Sequence, residues 1–256
     1  MKPNISETSY GYALTDELIH RQNIPINAAP IFPTLYQEGQ AGGGYDLLLD
    51  RPGLPLFLQF KLSDYLSRAN ALEMNIFNNP YYRMYITKRN HSNQHQMLHE
   101  LELNNELNEV FYTAPLFHEP EELNNAYLNG NVSNNSLWIK PSDIGLLVDD
   151  EQHYVVFDSP TNWYMCSDPK KMDFNVTFEH MNEELKKNLK NKGNEFTKEY
   201  IDDLSSYIEE ISQTKIDISQ DIKNQAKRIL VDSHSIQKIS FYSRVFLNTE
   251  FYIVNE

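Results

Sequence analysis

Between Gly44 and Lys61 two short apolar runs, Gly-Tyr-Asp-Leu-Leu-Leu and Leu-Phe-Leu-Gln-Phe-Lys, are joined through Pro52-Gly53. Each carries polar groups that do not suit it: Asp46 in the first, Gln59 and Lys61 in the second. Apolar runs this short, separated by a Pro-Gly pair, read as the two strands of a β-hairpin buried on both faces or nearly so. With the turn centred on Pro52-Gly53, Asp46 stands across from Gln59, and alternation of side chains brings Lys61 to the same face two residues on. Buried polar groups are costly unless they pair with one another, with a metal or with a bound molecule. The patch therefore reads as a functional site or as a partly exposed Asp46–Lys61 ion pair, which would contribute little to stability.

An aspartate on one strand and Gln-x-Lys on the next resembles the PD-(D/E)xK nuclease superfamily in its Mrr-like variant. The matching residues are Asp46 and Gln59-Phe60-Lys61. The order of elements agrees: a helix around Ala13–Arg21 containing Glu17, a strand near Pro30–Tyr36, the hairpin, then a helix, so that the resemblance covers about residues 8 to 118. The chain departs from the pattern at Tyr45, where the motif has proline, and at Gln59, which removes one negative charge from any metal site. The resemblance implies an α/β (α+β) fold of restriction-endonuclease type, a mixed β-sheet flanked by helices. It also implies a divalent-metal-dependent nuclease that hydrolyses phosphodiester bonds of nucleic acid, DNA above all, and by extension the effector of a bacterial anti-phage defence system.

The chemistry gives each position a task. Phosphodiester hydrolysis calls for a hard cation, and Mg²⁺ (or Mn²⁺) takes oxygen ligands. Under the resemblance Asp46 is the principal ligand, the Gln59 amide oxygen and Phe60 carbonyl add two more, and Glu17, or Glu38 as second choice, restores the missing charge. Lys61 orients or activates the attacking water and stabilises charge in the transition state. Glu17, beside Asp16, reads equally as an ordinary solvated helix residue. Glu38 lies just before Ala41-Gly42-Gly43-Gly44, which lacks the lysine and helix of a phosphate-binding loop and reads better as a flexible turn or bulge.

A net charge of −14 weighs against a simple polyanion binder, because non-specific affinity for nucleic acid comes from Lys and Arg. Either a local basic groove exists or a protein partner or second copy of the chain delivers the substrate. Arg68, Arg83, Lys88 and Arg89 are the candidates for that groove, with Gln94 facing the same cleft; each cation also reads as a solvated surface charge. At 256 residues and 40% hydrophobic, the chain can bury a substantial core. The single cysteine, Cys166, excludes an intramolecular disulfide framework and fits a reducing compartment. With no leader-like segment and no run near the roughly 18 apolar residues of a membrane span, the expectation is a cytoplasmic protein that does not engage a membrane.

Further along, Ser63–Phe77 reads as a helix, Tyr81–Thr87 as a strand, Ser92–Leu103 as a helix, Glu109–Phe117 as a strand and Glu119–Leu128 as a helix with Pro120 in its first turn. Strands follow at Ser136–Ile139, Gly145–Val148 and His153–Phe157, and Asp158-Ser159-Pro160 marks a boundary. The expected domains are thus a nuclease domain at 1–158 and a helical extension at 159–256 ending in one or more strands. Phe178–Ile211 has helical periodicity broken at Gly193, with Lys186-Lys187-Asn-Leu-Lys190-Asn-Lys192 as its basic segment. Such mixed-charge runs are usually solvated helix faces. Leu185, Leu189, Phe196, Ile201, Leu204, Ile208 and Ile211 form an apolar stripe that packs on the chain's own core in preference to another subunit. A helix at Ser219–Leu230 and aromatic strands within Ile239–Val254 complete the reading.

Two rival functions stay open. A catalytically inactive nuclease-fold scaffold or nucleic-acid-binding module would explain both Gln59 and the acidity. A zinc hydrolase would use His95 and His99, at i and i+4 on one helical face with His91 nearby, although no His-Glu-x-x-His occurs.

Overall fold

A computed structural model describes residues 1–21, 52–89, 91–166, 170–171, 176–214, 219–231 and 233–255. In chain order these form α1 (Glu7–His20), β1 (Gly53–Phe60), β2 (Ser63–Leu66), α2 (Met74–Phe77), β3 (Tyr81–Tyr85), α3 (Gln94–Asn104), β4 (Glu109–Pro115), α4 (Pro120–Asn129) and β5 (Ser136–Ile139). Then come α5 (Pro141–Ile144), β6 (Tyr154–Ser159), β7 (Asn162–Cys166), β8 (Lys170–Lys171), α6 (Phe178–Lys192), α7 (Lys198–Thr214), α8 (Gln220–Ile229), α9 (Ser235–Leu247) and β9 (Glu250–Asn255). The strands make a four-stranded sheet, β5-β4-β1-β9, and a five-stranded sheet, β2-β3-β6-β7-β8. Helices and two sheets in one chain make a mixed α/β protein of the α+β kind.

The chain divides into two compact units, each drawn from separated stretches. The first takes α1, the end of β1 from Gln59, β2, α2, β3, most of β4 from Phe111, α4, β5, α5, β6 to β8 and α6 as far as Leu185. Ser6 starts α1 by accepting a hydrogen bond from the Ser9 N–H at 3.0 Å, and Glu7 follows in the first turn, where an acid suits the helix dipole. Tyr10, Leu14 and Leu18 recur at helical spacing and are fully buried. Antiparallel β4 and β5 align Tyr112 with Ile139 and Pro115 with Ser136, and Trp138 packs between Phe111 and Phe178, with ring centroids 6.2 and 5.6 Å away. Each such fully buried ring contributes roughly 1.5–3 kcal/mol.

The second unit takes β1 as far as Leu58, α3, the start of β4, α6 from Lys186, α7 to α9 and β9. Antiparallel β1 and β9 run in register from Gly53↔Asn255 to Leu58↔Glu250. Gly53 therefore lies inside a strand instead of in a turn; glycine is needed because a Cβ there would stand 2.6 Å from the Phe196 ring. The preceding arm of the expected hairpin, the strand expected at Pro30–Tyr36 and the glycine run lie outside the described residues.

Three sequence expectations are corrected. Ser63–Phe77 is not one helix: β2 pairs antiparallel with β3, Ser63 opposite Met84 and Leu66 opposite Tyr81, and only Met74–Phe77 is helical, ended by Asn78 with φ 56°. Leu72, within that stretch, is 76% exposed, so an apolar residue there has no core to face. Gly145–Val148 is not a strand; α5, opened by Pro141, precedes it, and Leu146 and Val148 are exposed. Most of the aromatic run at Ile239–Val254 is helical, because Ile239, Tyr242, Phe246 and Leu247 lie on the buried side of α9 before Asn248 turns the chain into β9. Asp158-Ser159-Pro160 lies at the β6–β7 hairpin, where Ser159 pairs with Asn162. The apolar stripe from Leu185 to Ile211 is buried throughout.

Candidate functional site

The site at the end of β1 lies in the first unit and is built by α1 and the neighbouring strands. Phe60 packs edge-on against Tyr10, 5.9 Å between centroids, and its ring lies over Gly11, where a Cβ would approach to 2.7 Å. That close approach locks α1 onto the strand end. Glu7 stands one helical turn before Gly11 on the same side of α1. Gln59, on the opposite face from Phe60, is fully buried, and its Nε2 donates to the Phe60 carbonyl at 3.0 Å.

Lys61 follows at once. Its backbone N–H donates to the Thr113 carbonyl on β4 at 2.9 Å, and its Nζ donates to Thr87 Oγ1 at 3.4 Å. The side chain is half-buried. Desolvation lowers the Lys61 pKa, and the Glu7 carboxylate opposes that shift. A lysine poorly solvated beside a carboxylate and a buried amide can hold a water, accept a proton when neutral, and stabilise an oxyanion when charged.

Other expected site residues are placed elsewhere. Glu17 is fully buried, and its carboxylate accepts the Val132 N–H at 2.7 Å, the Ser133 N–H at 3.0 Å and the Ser133 hydroxyl. It thus tethers the segment before β5, ten residues and about 15 Å along the helix from Glu7. Asp46 and Glu38 lie outside the described residues. Arg83 turns inward: its guanidinium pairs with the buried Glu73 and lies 4.6 Å from the Tyr154 ring centroid. Burial works against ionisation of Glu73, but hydrogen bonds from Tyr81, Tyr154 and Arg83 outweigh it and hold the carboxyl below its ordinary range. Arg89 is exposed and donates to the Val148 carbonyl, while Lys88 is half-buried and Arg68 exposed. Gln94, in the second unit, is buried, and its Nε2 donates to the Leu247 carbonyl at the end of α9 at 2.7 Å.

Among the described residues no three or more His, Cys, Asp or Glu side chains gather to hold a metal. His95 is buried and His99 half-buried, with rings 6.4 Å apart, and His91 belongs to the other unit. The residues that sequence reasoning missed are Glu7 and Thr87. Ser6-Glu7 followed by Tyr10, Leu14 and Leu18 at helical spacing was the available signal for Glu7: it starts α1 six residues before the expected Ala13 and gives the helix an acid in its first turn. Thr87 gave none. Among the described residues no helix is long and apolar enough to cross a membrane. No family model matches the chain, and no curated protein or solved structure matches it.

Proposed function

We propose that the chain is a divalent-metal-dependent nuclease of the restriction-endonuclease-like class, acting on DNA, with Lys61 as its central catalytic group. The observation that carries this reading is the setting of Lys61: at the end of a buried strand, two residues past a buried Gln59, short of solvent, with Glu7 nearby and Thr87 as a hydrogen-bond partner. A half-buried lysine without such a task is costly to keep.

The donor set suits a hard cation provided Asp46 joins it: a carboxylate, the amide oxygen of Gln59 and the carbonyl oxygen of Phe60 are the oxygen ligands Mg²⁺ (or Mn²⁺) takes. Bound there, the cation would neutralise charge on the scissile phosphate. The chain's own residues do the rest. Thr87 and the β4 tether fix where the Lys61 ammonium points. Lys61 positions the attacking water by hydrogen bonding and stabilises negative charge developing on the phosphate oxygens. Its lowered pKa brings the neutral amine, able to take the water's proton, closer to working pH.

Cleavage of labelled DNA with Mg²⁺ or Mn²⁺ tests this for wild type, Asp46→Ala, Lys61→Ala and Glu7→Gln. The first two substitutions should lower the rate by roughly 100-fold or more, with a smaller loss for Glu7→Gln. Equal activity in all four removes the assignment. One observation favours a second reading: the Gln59 amide already satisfies the Phe60 carbonyl without a cation, as a non-catalytic scaffold or nucleic-acid-binding module would have it. Calorimetric titration with Mn²⁺ separates the two, since binding that disappears in Asp46→Ala supports the enzyme and no binding to wild type supports the module.

A further inference from the structure

For a chain of net charge −14 the question left open is where a polyanion is received. α6 answers it. The segment Leu185–Asn194 holds four lysines and no acid. At about 100° per residue, Leu185, Asn188, Leu189 and Lys192 share one side of α6. Leu185 and Leu189 are buried, Asn188 donates to Glu109 at 2.6 Å, and Lys192 pairs with Glu106. Lys186, Lys187 and Lys190 fall on the opposite side, and all three are exposed. Among the described residues none of these three has an acid within ion-pair distance, so their charge is directed to solvent.

We propose that the outer face of α6, Lys186, Lys187 and Lys190, is a contact surface for the phosphate backbone of nucleic acid. The inference rests on the nuclease reading for its biological sense, but it is carried by the charge and geometry of α6. Lys186 and Lys190 are one turn apart and climb about 6 Å along the helix, close to two phosphate steps of about 3.4 Å on one strand. Lysine is a compact point charge that suits phosphate without selecting bases, so the contact sets affinity and position and leaves sequence unread. The helix dipole accounts for lysines near a C-terminus, yet it does not require three of them on the side facing water.

The test is fluorescence anisotropy with a short labelled DNA duplex in EDTA, where nothing is cut, across a salt series, for wild type and the Lys186→Gln/Lys187→Gln/Lys190→Gln variant. Wild type should bind with a steep salt dependence, and the variant should bind more weakly with the log–log slope reduced by about 2 to 3. Equal melting temperatures for the two proteins would assign the difference to contact and not to the helix itself. Identical slopes, or no wild-type binding at the lowest salt, overturn the proposal. So does a variant that keeps its DNA affinity while losing affinity for phosphatidylserine vesicles, which would make the face a lipid contact. Cleavage is a separate readout: binding that depends on α6 without any cleavage sinks the nuclease reading and keeps this one, and cleavage with an unaffected variant does the reverse.

Discussion

Lys61 shows at the scale of one residue what a candidate site costs the fold. Burial lowers its pKa, so between that value and the ordinary lysine value of 10.5 the unfolded chain holds more protons than the folded one. Stability therefore rises with pH through that window, and at neutral pH the charged form is a standing cost. Lys61→Met keeps the length of the side chain and removes the charge. It should raise stability at neutral pH by up to about 1 kcal/mol, measured by urea unfolding, while abolishing cleavage. The gain should shrink towards pH 10 or so as the lysine loses its proton in both states. A variant less stable than wild type at neutral pH would mean that the Thr87 and Glu7 contacts outweigh desolvation. Gln59 and Lys61 were legible in sequence because polar residues at alternate positions of an apolar run are conspicuous. Thr87 was not, because nothing local distinguishes a threonine whose hydroxyl accepts from a lysine 26 residues away.

At the scale of elements the decisive contact is α1 against the end of β1. Glycine inside a helix costs about 1 kcal/mol relative to alanine, which by propensity alone makes Gly11→Ala stabilising. The structure argues the reverse, since an added Cβ would lie 2.7 Å from Phe60 Cδ2, a ring atom of a buried side chain that cannot swing away freely. Overpacking of this kind costs roughly 1–3 kcal/mol. Gly11→Ala should therefore lower the melting temperature, and Phe60→Leu in the same chain should recover part of the loss. A melting temperature raised by Gly11→Ala alone would show that α1 is not held by this approach. The same contact sets where Glu7 stands relative to Lys61, so the variant should slow cleavage as well. Element types were legible wherever a period had a core to face: α3, β3, β4, β5, β6, α6 and α7 stand where periodicity put them, and α4, which buries no residue, starts at the Pro120 that marked it. The first misreading has a plain cause, that spacing reports a face without saying what covers it. Leu66 kept helical spacing but pairs as a strand, and Leu72 kept it in an exposed turn; Tyr242 and Phe246 add a second cause, since their aromatic type suggested a strand while their interval was that of a helix.

At the scale of the molecule the two interleaved units matter most. A fragment ending at Asp158 would lack β7, the antiparallel partner of β6, and β9, the partner of β1. Residues 1–158 alone should not melt cooperatively, by circular dichroism or calorimetry, where the full chain should; a sharp transition for the fragment would support a domain boundary at Asp158. What the sequence determined by itself was local: the alternation that singled out Gln59 and Lys61, the period of the long helices, and an acidity that poses the question the proposal for α6 addresses. Tertiary structure decided the rest. It tied Glu17 to the Val132–Ser133 segment, turned Arg83 to Glu73 and Gln94 to α9, and brought Glu7 and Thr87 to Lys61. The reason is physical: periodicity records which side of an element is buried, whereas the partner of a buried charge is fixed by closure of contacts between residues far apart in the chain.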